Sequence, residues 1–138
     1  MIKSIFLLVT LVGTGLWIYS AQNTNISSGF KYSIENIPNI SVDDVVSKIN
    51  NKENILILDV RTKGEYTGSL GHIENSILIP VQELGSRISE MKPYNEKEII
   101  VVCRSGNRSR TGTMILMNAG YRAINMLGGM KAWNKNKN

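Results

Sequence analysis

Apolar runs alternating with helical segments predict an α/β domain, a parallel sheet of about five strands with helices on both faces. Three observations carry that expectation. Ile55 to Leu58 and Ile99 to Val102 are unbroken apolar runs, as in central parallel strands covered on both sides. Segments with helix starts and stops lie between and after them. Each run also ends at a residue with chemistry: Asp59 after the first, and Cys103, the only cysteine, after the second. Ligands of such sheets bind beyond the carboxyl ends of the strands.

The chain opens on Met1 to Ala21, with Lys3 as its one charge and an apolar core from Ile5 to Tyr19. No further charge appears before Lys31. Residues 1–21 are therefore expected to be a secretory signal or an N-terminal membrane anchor, with the rest exported to the periplasm or held facing out of the cytoplasm. Tyr19 and Ile18 both suit poorly the third-last position of a cleavage site. Trp17 and Tyr19 suit a membrane interface. Cleaved and anchored forms both stay open. Residues 22–36, rich in Asn, Ser and Thr, read as a flexible tether.

The globular domain occupies 37–138. Pro38 to Ile40 is a short extended piece. Ser41 caps a helix with Asp43 and Asp44 in its first turn and Val42, Val45, Val46 and Ile49 on one face; Asn50 to Lys52 ends it. After the strand Ile55–Leu58, Thr62 to Gly68 is a short helical turn and Ser76 to Ile79 a second strand, closed by Pro80. A helix is expected from Val81 to about Glu90, with Leu84 and Ile88 inward, ending before Pro93. Glu98 to Val102 is the strand that feeds Cys103. Cys103 to Arg108 turns the chain, and Ser109 opens a helix to Asn118 with Ile115, Leu116 and Ala119 on its core face. Gly120 terminates that helix. Ala123 to Met126 is the last strand, and Gly128-Gly129 turns into a helix bearing Trp133.

Composition narrows the function. At 138 residues the chain holds one domain with an appendage. The net charge of +5 is mild and scattered, and no aromatics interleave with basic residues, so nucleic-acid binding is not expected. One cysteine and one histidine, His72, leave no multi-cysteine or paired-histidine metal site and no internal disulfide. Neither a metal nor another cofactor is called for. Met114, Met117, Met126 and Met130 read as core filling.

The loop Cys103-Arg104-Ser105-Gly106-Asn107-Arg108 joins a strand to a helix start. The first N–H groups of a helix have no intrahelical partner, and a tight loop can turn further amides to the same point. A sulfur there faces amide dipoles and the cations Arg104, Arg108 and Arg110, which favour thiolate over thiol. The same cradle can hold an incoming anion.

Cys103 to Ser109 resembles the active-site loop of single-domain rhodanese-type sulfurtransferases. Three further stretches fit that family in order: Asp59-Val60-Arg61 with Glu65-Tyr66, Gly71-His72-Ile73 leading to Ile79-Pro80, and Gly120-Tyr121 leading to Leu127-Gly128-Gly129 and Trp133. The resemblance covers about 100 residues and implies two-step covalent transfer. Cys103 would take sulfur from a donor such as thiosulfate or a persulfide and pass it to cyanide, a thiol or a partner protein's thiol. Arg104 to Arg108 would stabilise the persulfide, with Arg104 and Arg108 binding the anionic donor. Asp59, Arg61 and Glu65 would support the loop through carboxylate–guanidinium pairing, Ser109 would be a cap, and His72 a scaffold element. Two alternatives share the fold. One is a carrier, sensing or interaction module without free turnover. The other is a phosphatase- or arsenate-reductase-like enzyme, whose family loop is one residue longer.

Overall fold

The computed structural model describes residues 29–136. The signal or anchor expected over 1–21, and the tether as far as residue 28, lie outside the described residues. Among those described, no helix is long and apolar enough to cross a membrane.

Five strands, β1 (Asn39–Ile40), β2 (Ile55–Asp59), β3 (Ile77–Leu78), β4 (Glu98–Val102) and β5 (Arg122–Met126), pair in parallel in the order β1-β5-β4-β2-β3. The helices are α1 (Val42–Asn50), α2 (Lys63–Tyr66), α3 (Val81–Leu84), α4 (Asn107–Asn118) and α5 (Gly129–Asn136). Register decides what meets at the strand ends: Asp59 lies opposite Val102, and Val101 opposite Asn125. The exits of β2, β4 and β5 are therefore level.

The unbroken apolar runs follow from burial on both faces. Leu56, Leu58, Ile99 and Val101 pack into one core with Leu84 and Leu116. Their neighbours Ile57, Ile100 and Val102 enter the other with Val45, Met126 and Trp133. Side chains alternate along a strand, so each face receives every second residue. Gly112 lets α4 sit close to the sheet: a Cβ there would come 3.1 Å from Val101 Cγ1 and 3.2 Å from Val60 Cγ1.

Several sequence expectations need correction. The helix predicted from Val81 to about Glu90 stops at Leu84, and a 3-10 segment, Ile88–Tyr94, follows with Pro93 inside it. Gly85 and Ser86 are weak helix formers, and although the Glu83 carbonyl still accepts the Arg87 N–H at 3.0 Å, besides the Ser86 hydroxyl at 2.9 Å, the helix does not propagate further. Helix α4 begins at Asn107, two residues earlier than predicted, because Gly106 at φ 101° already supplies the cap. On α4 the buried positions include Gly112, Thr113 and Leu116, whereas Ala119 is exposed. Ile49 is 38% exposed and faces an open cleft shared with Val46, Ile73 and Trp133. The segment placed in the tether is not free throughout. Tyr32 donates its N–H to Asn118 Oδ1 at 2.9 Å, its carbonyl accepts from Asn118 Nδ2 at 3.0 Å, and Ile34–Asn36 forms a 3-10 turn.

Candidate active site

Cys103 follows β4 directly and is 1% exposed. Its sulfur is the acceptor at the centre of the loop. The Gly106 N–H donates to Sγ at 3.1 Å, and the Ser109 hydroxyl lies 3.3 Å away. Burial by itself pushes the thiol up. The Ser109 hydroxyl and the amides of Ser109, Ser105 and Gly106 outweigh it and hold the thiol below its ordinary value. The donors converge because Gly106 adopts φ 101°, which favours glycine, and a Cβ there would also meet Gly128 N at 3.2 Å.

The outer wall of the loop is α5. Met130 N–H donates to the Cys103 carbonyl at 2.8 Å and Lys131 N–H to the Arg104 carbonyl at 3.0 Å. With the carbonyls tied outward, the amides are left to face the sulfur. Gly129 makes this approach possible. It has φ 55°, and an added Cβ would land on the Cys103 carbonyl oxygen and within 2.7 Å of Ser105 N. Gly129→Ala should therefore lower both the melting temperature and the alkylation rate of Cys103 at neutral pH. Substitution at Gly64, where nothing lies within 4 Å of an added Cβ, should change neither.

Arg108 does not stand free to meet an anion, contrary to expectation. Its guanidinium is gripped by Glu65 through Nη1–Oε2 at 2.7 Å and Nη2–Oε1 at 2.6 Å. Glu65 is presented by a capping box on α2, in which Thr62 Oγ1 accepts from Glu65 N and Glu65 Oε2 from Thr62 N. Arg108, opposed by burial but helped by Thr62, brings the Glu65 carboxyl down from 4.5 to about 2. A depressed folded-state value means stability present above the unfolded value and lost as pH falls toward the folded one. Glu65→Gln should accordingly flatten the decline in stability between pH 4.5 and about 2, read by denaturant titration at each pH.

Behind this clamp, Arg61 is 0% and Asp59 1% exposed. Arg61 Nη2 donates to Asp59 Oδ2 at 2.7 Å and Nε to Oδ1 at 3.0 Å. Its remaining donors reach the Gly71 and Glu65 carbonyls at 2.7 and 3.1 Å. The pair thus ties the end of β2 to the segment carrying Glu65. Arg104 is exposed and lines a cleft of about 350 Å³ with Arg61, Thr62, Glu65 and Leu70. A larger cleft, about 530 Å³, lies by α1 and α5 and includes no residue of the Cys103 loop. The smaller cleft is the one that borders the loop, through Arg104, the residue next to Cys103.

Residues 41–136 match the family described as "Rhodanese-like domain". The chain belongs to the rhodanese-like family. The domain is 30% identical over 95 residues to the "Sulfurtransferase" of Allochromatium vinosum, covering 68% of this chain and 85% of that protein. It is 33% identical over 112 residues to the "Putative sulfur carrier protein YrkF" of Bacillus subtilis, covering 78% of this chain and 58% of the relative. A rhodanese-like domain protein of Staphylococcus aureus superposes with a TM-score of 0.63 at 30% identity, over 70% of this chain and 91% of that one. The family is thus one of rhodanese-like sulfurtransferases and sulfur carriers, and its proteins engage sulfur donors and acceptors.

Within the rhodanese-like domain, Asn107 is exposed in the first turn of α4 and Ser105 at the lip of the loop. His72 stacks on Tyr66 at 3.9 Å with Nδ1 3.1 Å from the Tyr66 carbonyl oxygen, and so braces the turn after α2. Among the described residues there is no cluster of three metal-ligating side chains. One residue escaped the sequence reading. Asn125 is 1% exposed in β5, and its Oδ1 lies 2.6 Å from Ser109 Oγ. The signal was available as a lone amide inside the run Ala123 to Met126.

Proposed function

We propose that this protein is an extracytoplasmic sulfurtransferase that carries sulfane sulfur on Cys103. The Cys103 thiolate attacks the outer sulfur of thiosulfate. The S–S bond of the donor breaks, sulfite leaves with its electron pair, and Cys103 becomes a persulfide. Cyanide or a thiol then attacks the terminal sulfur, and the Cys103 thiolate departs. Charge on the transferred sulfur is met by the amides of Ser105, Gly106 and Ser109. With Arg108 held by Glu65, the exposed Arg104 is the guanidinium available to the donor. The observation that carries this is the sulfur itself, buried and approached by converging donors. Export rests on the uncharged apolar segment after Lys3.

A second reading, delivery of sulfur to a partner protein's thiol without free turnover, draws on the similarity to the protein named as a sulfur carrier. Intact mass after thiosulfate treatment, followed by a cyanide chase, tests the chemistry. A gain of one sulfur that cyanide removes is expected, and an unchanged mass with both thiosulfate and a persulfide donor would sink the proposal. Turnover on cyanide then separates enzyme from carrier. Cell fractionation tests export: protein found only in the cytoplasm would rule it out.

A further inference from the structure

Ser109 Oγ lies 2.6 Å from Asn125 Oδ1 and 3.3 Å from Cys103 Sγ. A hydroxyl has one proton, so it cannot donate to both acceptors at once. Ser109 is 0% exposed and Asn125 1%, so the two claims have to be reconciled inside the fold. Beyond Asn125 the contacts continue, with its Nδ2 donating to Asn39 Oδ1 at 2.8 Å. Asn39 lies in the edge strand β1 and is exposed. Four polar groups thus run unbroken from the sulfur to the surface.

The two charge states of sulfur pull the shared proton in opposite directions. With a neutral thiol, S–H points to Ser109 Oγ, Ser109 donates to Asn125 Oδ1, and Asn125 donates to Asn39. With an anionic sulfur, the Ser109 proton turns to Sγ and Oγ meets Asn125 with lone pairs only. An amide oxygen 2.6 Å away would then be acceptor against acceptor. Turning the amide over presents Nδ2 instead, and Asn39 turns with it to donate to Oδ1. A side-chain amide offers both faces from one position. The far end yields easily, because Asn39 is exposed and its own donation, to the Ile37 carbonyl, is long at 3.4 Å.

We infer that Asn125 is a positioning residue whose amide reverses with the charge on Cys103, so that Ser109 donates to sulfur only in the anionic state. The inference serves the proposed persulfide chemistry but does not depend on it. The charged groups around the sulfur lie on the loop, on α4 and on β2 with the segment after it, outside this chain of contacts. Arg108 of α4 interacts with Cys103, Glu65 and Asp59, while Asp59 of β2 is bound by Arg61, and Arg104 stands exposed on the loop. Hydrogen bonds of Arg108, Glu65, Asp59 and Arg61 go to one another, to Thr62 and to backbone. The hydroxyl–amide chain itself is neutral.

The test is a titration of the ¹⁵N-labelled full chain through ionisation of Cys103, with thiolate followed by ultraviolet absorbance and alkylation rate. The Asn125 Nδ2 resonances should move with the thiol's midpoint, and in Ser109→Ala they should lose most of that movement. Flat resonances in the natural protein, or equal movement without the hydroxyl, would overturn the inference. Asn125→Asp supplies a second arm, because a carboxylate can only accept and pins the Ser109 proton away from sulfur. Its effect on the thiolate fraction at neutral pH should be about tenfold larger with Ser109 present than in the Ser109→Ala background, where only the added charge acts. Equal effects would overturn it; if that variant does not fold, the titration of the natural protein decides. No sulfur donor enters either measurement, so failure of sulfur transfer and failure of the relay are distinguishable.

Discussion

Cys103→Ala should bring thiosulfate-to-cyanide sulfur transfer down to the uncatalysed rate, a loss of at least about a thousandfold, as when a covalent nucleophile is deleted. The fold should survive, since the change removes one sulfur from a site closed by backbone hydrogen bonds on the α5 side. A melting temperature near that of the natural protein would show this, and the mass gain with thiosulfate should vanish. Product formed at the natural rate by a folded Cys103→Ala protein would defeat the persulfide mechanism. Cys103→Ser is a weaker probe, because a hydroxyl in the same amide cradle still holds an anion site but ionises far less readily.

The largest stability effect should come from Asp59→Ala. It leaves the Arg61 guanidinium, 0% exposed, without its counter-ion. Breaking a buried pair by removing one partner costs about 3–5 kcal/mol. Against the roughly 5–15 kcal/mol that holds a typical domain, about a fifth of the margin or more disappears. Urea titration followed by the fluorescence of Trp133, which lies in the core, reads the loss. Replacing both members, Asp59→Leu with Arg61→Met, should recover part of it, since no charge is then stranded. A loss below about 1 kcal/mol for Asp59→Ala would mean that the remaining Arg61 bonds to the Gly71 and Glu65 carbonyls suffice.

The backbone plan was legible because local signals agreed with the global ones. Ser41 ahead of two aspartates, the two apolar runs, and Gly120 after Asn118 each mark a boundary that stands where the residues put it. The misplaced boundaries have local causes: the weak helix formers Gly85 and Ser86 between Leu84 and Ile88, and Gly106 capping α4 ahead of Ser109. At the site, the position of Cys103 and the presence of ion pairs could be read from the chain. Which carboxylate takes which guanidinium could not. Asp59 and Arg61 are two residues apart, but Glu65 and Arg108 are separated by 43, and only the sheet register brings them together. Asn125 was lost for the same reason, since its partner Ser109 is 16 residues earlier in the chain.

The two hydrogen bonds from Met130 and Lys131 to the loop carbonyls have a consequence for biosynthesis. The groups that fix the sulfur's surroundings are made after everything they fix. A nascent chain that has reached β5 carries Cys103 on a loop with its outer wall missing. The carbonyls of Cys103 and Arg104 find their partners only when α5 arrives. The loop that holds the only cysteine of the chain is thus closed by a helix that leaves the ribosome after it.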